Sequence, residues 1–157
     1  YRNIYQLNCV TGILFNHESP LRDEKFVIKK IIKTAVRIKR GSKEELTLGD
    51  ITIRRDWGCA EEYIEAIQLI NRSNLNRDYV ICSGESHSLQ SIIQKVFEEL
   101  ELNWIDHTKI SKDLFRSKEI ESSYGNANSI KKDLGWEAKT KINDLIKKLI
   151  SYELDET

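Results

Sequence analysis

Apolar residues in this chain fall into one dense run and several helical stripes. From Cys9 to Phe15 (CVTGILF) almost every position is apolar or β-branched. That pattern predicts a strand over residues 9–15, buried on both faces of a parallel sheet. From Phe26 to Arg40 the apolar residues Val27, Ile31, Ala35 and Ile38 recur at helical spacing, with a basic opposite face and Gly41 as a stop. A second helix is predicted from Ala60 to Ile70, with Ala60, Tyr63, Ile64, Ile67 and Ile70 on one face. Residues 78–82 predict a short buried strand, and Ser88 then caps the stripe Leu89, Ile92, Ile93, Val96, Phe97 and Leu100. A short helix over 127–134 stops at Gly135, and Ile142, Leu145, Ile146, Leu149 and Ile150 mark the last one. The fold class is α/β, with few strands for so many helices. A strand buried on both faces needs partners on both edges, so its missing neighbours are expected upstream of Tyr1.

Composition narrows the partners. Lysine plus arginine and aspartate plus glutamate number 25 each, giving no net field toward nucleic acid or an anionic membrane. No apolar stretch reaches membrane-spanning length. Cys9, Cys59 and Cys82 form neither a disulfide framework nor a zinc pattern, which points to a reducing cytoplasmic setting. The chain begins at Tyr1 and contains no methionine, so it is expected to be part of a longer protein.

Several catalytic patterns fail by one residue. Gly84-Glu85-Ser86-His87-Ser88 lies between a strand and a helix, but Ser88 stands where a nucleophile elbow requires glycine. His17-Glu18 begins like a zinc-binding HExxH, yet its fifth position is Leu21. There is no glycine-rich dinucleotide loop, and none of the six tyrosines has a lysine four places on. Other groups suit anions. Lys30 lies at a helix start, where free N–H groups favour negative charge. Arg54-Arg55-Asp56-Trp57 sets two guanidiniums and a carboxylate before a helix. It is either a phosphate clamp with Asp56 orienting one arginine or a structural ion pair. Arg116 and Glu119, one helical turn apart, suit an internal pair.

Four segments, in order, resemble the GDP-mannose 4,6-dehydratase family of extended short-chain dehydrogenase/reductases. They are TGILFNHESPLRDEKFVIKKI (11–31), LGDITIRRDWGCAEEYIEAI (48–67), DYVICSGESHSL (78–89) and RSKEIESSYGNANSIKKDLGW (116–136). Departures from the family pattern are Ile28, Cys59, Ser117 and Asn126. The resemblance implies the C-terminal part of such a fold, with late Rossmann strands and a helix-rich substrate-binding portion over 1–157. It also implies that the N-terminal NADP-binding half lies outside this chain. His17 and Arg22 are implied as NADP contacts. Asn16, Val27, Lys30, Arg55, Arg116 and Glu119 are implied as contacts to GDP-mannose, Lys30 and Arg55 at its diphosphate and Arg116 and Glu119 at the nucleotide.

The implied parent enzyme converts GDP-mannose to GDP-4-keto-6-deoxymannose with NADP and is a homo-oligomer. The isolated chain, without the acid/base tyrosine and glycine-rich loop, is expected to be inactive. Another nucleotide-sugar dehydratase or epimerase, or a non-catalytic nucleotide-sugar-binding module, remains the alternative.

Overall fold

A computed structural model describes residues 1–156. The chain opens with a single helical turn, α1 (Arg2–Tyr5), then β1 (Gly12–Leu14), β2 (Asn16–Glu18) and the long helix α2 (Val27–Lys39). Three short strands, β3 (Leu46–Leu48), β4 (Arg54–Arg55) and β5 (Trp57–Cys59), lead into α3 (Ala60–Arg72). Then come β6 (Tyr79–Ile81), β7 (His87–Ser88), α4 (Leu89–Glu99), β8 (Thr108–Ile110), β9 (Ser122–Ser123), α5 (Asn128–Leu134) and α6 (Ile142–Asp155).

The helices α2, α4 and α6 obey their stripes; α3 does not, because Ile64 and Ile67 of its predicted face are exposed and Ala66 is buried in their place. α2 buries Ile28, Ile31, Ile32, Ala35, Val36 and Ile38, and α4 buries Leu89, Ile92, Ile93, Val96 and Phe97. Both meet the Ile142, Leu145, Ile146, Leu149 and Ile150 face of α6 in one apolar core. Each such side chain contributes about 2 kcal/mol when withdrawn from water, so this three-helix contact is the main source of stability. Ser88 caps α4 as predicted, accepting from the Ser91 N–H at 3.1 Å. Gly41 and Gly135 leave their helices with φ of +99° and +69°, which glycine adopts without strain.

A second core lies under the other face of the chain. Tyr63, Ala66 and Ile70 of α3 pack with Tyr79, Ile81, Ile130 and Trp136, and Leu14 closes against them. β1 pairs in parallel with β6, Gly12 opposite Tyr79 and Leu14 opposite Ile81. The strand is shorter than the apolar run predicts, and it is not buried on both faces. Ile13 is 52% exposed and Cys9 is exposed. Among the described residues β1 has a partner on one edge only, and Ile13 stays half exposed on its face.

At Phe15 the chain changes partner. The Phe15 N–H still bonds the Ile81 carbonyl at 3.0 Å, but β2 pairs in parallel with β5. Asn16 stands opposite Trp57, His17 opposite Gly58 and Glu18 opposite Cys59. That exchange carries an apolar strand directly into a polar motif. β4 lies between β7, antiparallel, and β9, parallel, while β3 pairs with β8. No helix of the described residues is long and apolar enough to cross a membrane.

Candidate functional site

Alternation along β2 separates His17 from Asn16 and Glu18, which share the other face, and of those two only Glu18 is buried. His17 turns to Tyr63, ring centroids 5.3 Å apart, with Nδ1 2.8 Å from the Phe15 carbonyl oxygen. Burial, with the nearby Asp56 charge, raises the Tyr63 pKa, so its phenol stays protonated at neutral pH. Asn16 is exposed. Glu18 is only 3% exposed, opposite Cys59, which belongs to the three-helix core. Its burial pushes the carboxyl pKa up to about 7, against the lowering pull of Arg22.

Arg22 lies on the turn that follows β2. Its guanidinium stacks 3.5 Å from the centroid of the Phe26 ring, and its Nε is 3.6 Å from Glu18 Oε2. The turn is anchored from behind by Lys29. This buried ammonium donates to the Pro20 carbonyl at 2.9 Å and to Glu153 of α6 at 2.7 Å. Val27, in the first turn of α2, is half-buried and packs against the core. One turn on, Lys30 donates to the Thr47 carbonyl at 2.7 Å, which fixes its head beside β3.

The second cluster forms around Glu119. Arg55 Nη2 meets Glu119 Oε1 at 2.5 Å, and Arg116 Nη1 lies 3.5 Å from Glu119 Oε2. One carboxylate thus joins two arginines 61 residues apart in sequence (116 − 55). Arg55 is mostly covered, whereas Arg116 is 81% exposed. The 115–120 segment is an irregular turn, not the helix that the Arg116–Glu119 spacing suggested. Its shape comes from β4, because the Arg54 N–H bonds the Glu121 carbonyl at 2.8 Å and β9 follows alongside.

Asp56 does not orient an arginine. It is fully buried and accepts from the Ser83 N–H (2.9 Å), the Ser83 hydroxyl (2.7 Å), the Gly84 N–H (2.8 Å) and the Gly125 N–H (3.3 Å). The carboxylate ties together two loops distant in sequence. Gly125 is required there, since a Cβ would lie 2.7 Å from the Cys82 side chain and 2.9 Å from Phe15. Beside these loops is a cavity of about 430 Å³ lined by Ser83, Gly84, Tyr124, Asn126, Lys141 and neighbours. Cys82 also borders it, and burial and Asp56 push that thiol up to about 11, which keeps it protonated at neutral pH.

Of the sequence-predicted residues, the fold joins Arg55, Arg116 and Glu119 directly and sets Asn16 and His17 beside β5. The Lys30 ammonium is bonded to the Thr47 carbonyl beside β3. Glu18, Lys29 and the true role of Asp56 escaped sequence reasoning. A carboxylate between His and Ser in a polar motif reads as exposed. Only the register with β5 buries it. Among the described residues no group of three or more His, Cys, Asp or Glu side chains could hold a metal ion.

Comparison with known proteins places this geometry in context. The model of the family described as GDP-mannose 4,6 dehydratase matches residues 1–149. GDP-mannose 4,6 dehydratase 1 of Arabidopsis thaliana is 41% identical over 155 residues, covering 99% of this chain and 43% of that protein. The Dictyostelium discoideum GDP-mannose 4,6 dehydratase is 34% identical over 172 residues, covering 99% and 48%. The chain therefore spans under half the length of these relatives. Among solved structures, RMD from Pseudomonas aeruginosa, complexed with NADPH, superposes with a TM-score of 0.86 at 20% identity, covering 99% of this chain and 52% of that one. The dTDP-glucose 4,6-dehydratase of Bacillus anthracis, in complex with NAD, gives 0.86 at 16% identity, covering 99% and 47%. At such identities the structural likeness speaks for the fold.

Proposed function

The chain belongs to the GDP-mannose 4,6 dehydratase family, and from that premise we propose that it supplies the nucleotide-sugar-binding portion of an NADP-dependent enzyme. The whole protein would convert GDP-mannose to GDP-4-keto-6-deoxymannose, and the glycine-rich cofactor loop would lie upstream of Tyr1. The observation that carries this reading is the joining of Arg55, Glu119 and Arg116. Glu119 holds the Arg55 fork in a fixed orientation, so the guanidinium can meet a diphosphate without first losing rotamer freedom. A carboxylate accepts hydrogen bonds and donates none, which suits Glu119 to guanine N–H groups. Lys30, Asn16 and Val27 complete the substrate side, Lys30 as a second positive charge near β3.

His17 and Arg22 are the residues that would hold the cofactor. The fit is supported by Arg22 itself, whose Nε is buried without a hydrogen-bond partner and whose charge rests on an aromatic ring. Bound NADP would supply the acceptance and return of a hydride. The net charge of zero supports a protein without nucleic-acid partners, and three free cysteines support a reducing, cytoplasmic setting. A homo-oligomeric whole protein is part of the same proposal.

The test uses the full-length protein. Arg55→Ala is expected to weaken GDP-mannose binding by about 1–3 kcal/mol in titration calorimetry, and GDP is expected to compete better than UDP, CDP or dTDP. Unchanged affinity in the variant would remove Arg55 from the site. The 157-residue chain alone, incubated with GDP-mannose and NADP, is expected to give no 4-keto product, because none of its tyrosines is paired with a lysine at the required spacing.

A further inference from the structure

The turn after β2 contains a group that the proposed binding roles leave unused. Glu18 is almost fully buried, and its Oε2 has no hydrogen-bond partner. Arg22 Nε, 3.6 Å away, is also buried and without a partner. That separation is too long for a hydrogen bond, so the two groups hold each other by charge alone. The surrounding charges are matched elsewhere. Across the strand pair the Cys59 thiol donates to Glu61, and Glu61 is paired with Lys148. From α2, Lys29 is taken up by the Pro20 carbonyl and Glu153. Arg22 is therefore the charge that favours an ionised Glu18, while burial opposes it.

A balance of this kind responds to an anion. A phosphate placed on the Arg22 guanidinium cancels the one attraction that supports the carboxylate, and it adds repulsion of its own. The carboxylate then takes a proton from solvent and becomes a neutral acid. We propose that Glu18 is the positioning residue for Arg22, and that binding of the phosphate-bearing cofactor to this guanidinium is coupled to uptake of one proton by Glu18. The inference rests on the assignment of Arg22 to the cofactor. By linkage, the ligand prefers the protonated form, so affinity falls as pH rises through neutrality, by up to about tenfold per pH unit. Glu18→Gln carries the neutral form at every pH and loses this component.

The experiment measures NADP binding to the full-length protein by calorimetry from pH 6 to pH 8.5, in two buffers of different ionisation enthalpy. Wild type is expected to take up protons on binding in excess of Glu18→Gln, and to lose affinity more steeply with pH. The phosphate of NADP titrates equally in both, so the difference between them isolates Glu18. If Arg22→Ala binds NADP as tightly as wild type, the cofactor assignment itself fails, and the coupling with it. If Arg22→Ala weakens binding but Glu18→Gln keeps the wild-type proton uptake and pH slope, the coupling alone is overturned. Difference infrared spectroscopy of the unmutated protein gives an independent readout. A protonated-carboxyl band should grow on NADP addition at pH 8, and its absence would likewise overturn the proposal.

Discussion

Asp56 and Glu18 are both buried carboxylates bordering the same pair of short strands, and the chain treats them in opposite ways. Asp56 accepts from four donors, three of them backbone N–H groups from two different loops. Glu18 has one arginine at 3.6 Å and an oxygen with no hydrogen-bond partner. The difference teaches what each is suited to do. A fully satisfied carboxylate is a fixed structural knot. One held by a single distant charge is free to change protonation, and it lies next to the residue proposed to meet the cofactor.

The largest expected effect comes from cutting the knot. Asp56→Ala would leave three N–H groups of two loops without their common acceptor, and a loss of about 4 kcal/mol is expected in urea unfolding. Glu18→Gln tests the other side. The folded-state pKa of Glu18, about 7, lies above its unfolded value of 4.5. Its contribution is thus fully present below pH 4.5 and is lost as pH rises through 7. The Gln variant is therefore expected to be more stable than wild type at pH 8, by at most about 3 kcal/mol, and the gap should close toward pH 4.5. Unfolding curves at pH 5 and pH 8 read this directly. A pH-independent gap would show that burial does not perturb the titration of Glu18. Gly125→Ala pushes a donor away from Asp56, since the new Cβ strikes Cys82; about 2 kcal/mol should be lost. Ser83→Ala removes the hydroxyl that donates to Asp56 and accepts from the Glu85 N–H, and it leaves the N–H donors to Asp56 in place. About 1 kcal/mol is expected, measured as a shift in the urea midpoint.

The legible parts of the molecule are those with local periodicity. α2, α4 and α6 follow apolar spacing over three or more turns, and the Ser88 cap needs only neighbours in sequence; α3 has isoleucines on two faces, and only its packing shows that Tyr63, Ala66 and Ile70 are the buried set. The strands β3, β4, β7, β8 and β9 have two or three residues each, too short for alternation to register. Their existence depends on pairings such as Leu46 with Thr108, which no local pattern announces. The same limit governs the site. Arg55, Arg116 and Glu119 were singled out through a family resemblance, and the fold brings them together. Asp56 was misread because its neighbours in sequence are arginines, whereas its partners arrive from residues 83, 84 and 125. Burial of Glu18 follows from a register with Cys59 that becomes visible only when the strands meet.

The bond network of Lys29 bears on the order in which the chain can mature during synthesis. Lys29 secures the Pro20 carbonyl of the Arg22-bearing turn, and its ammonium is matched by a carboxylate 124 residues further on. A ribosome delivers the chain from its N-terminal end at about 5–20 residues per second. For several seconds, on that scale, the turn and its lysine exist while Glu153 has yet to be made. The buried ammonium cannot settle until α6 arrives, so the turn is finalised late, although it is translated well before α6. A chaperone or an early ligand would meet this surface while it is still open.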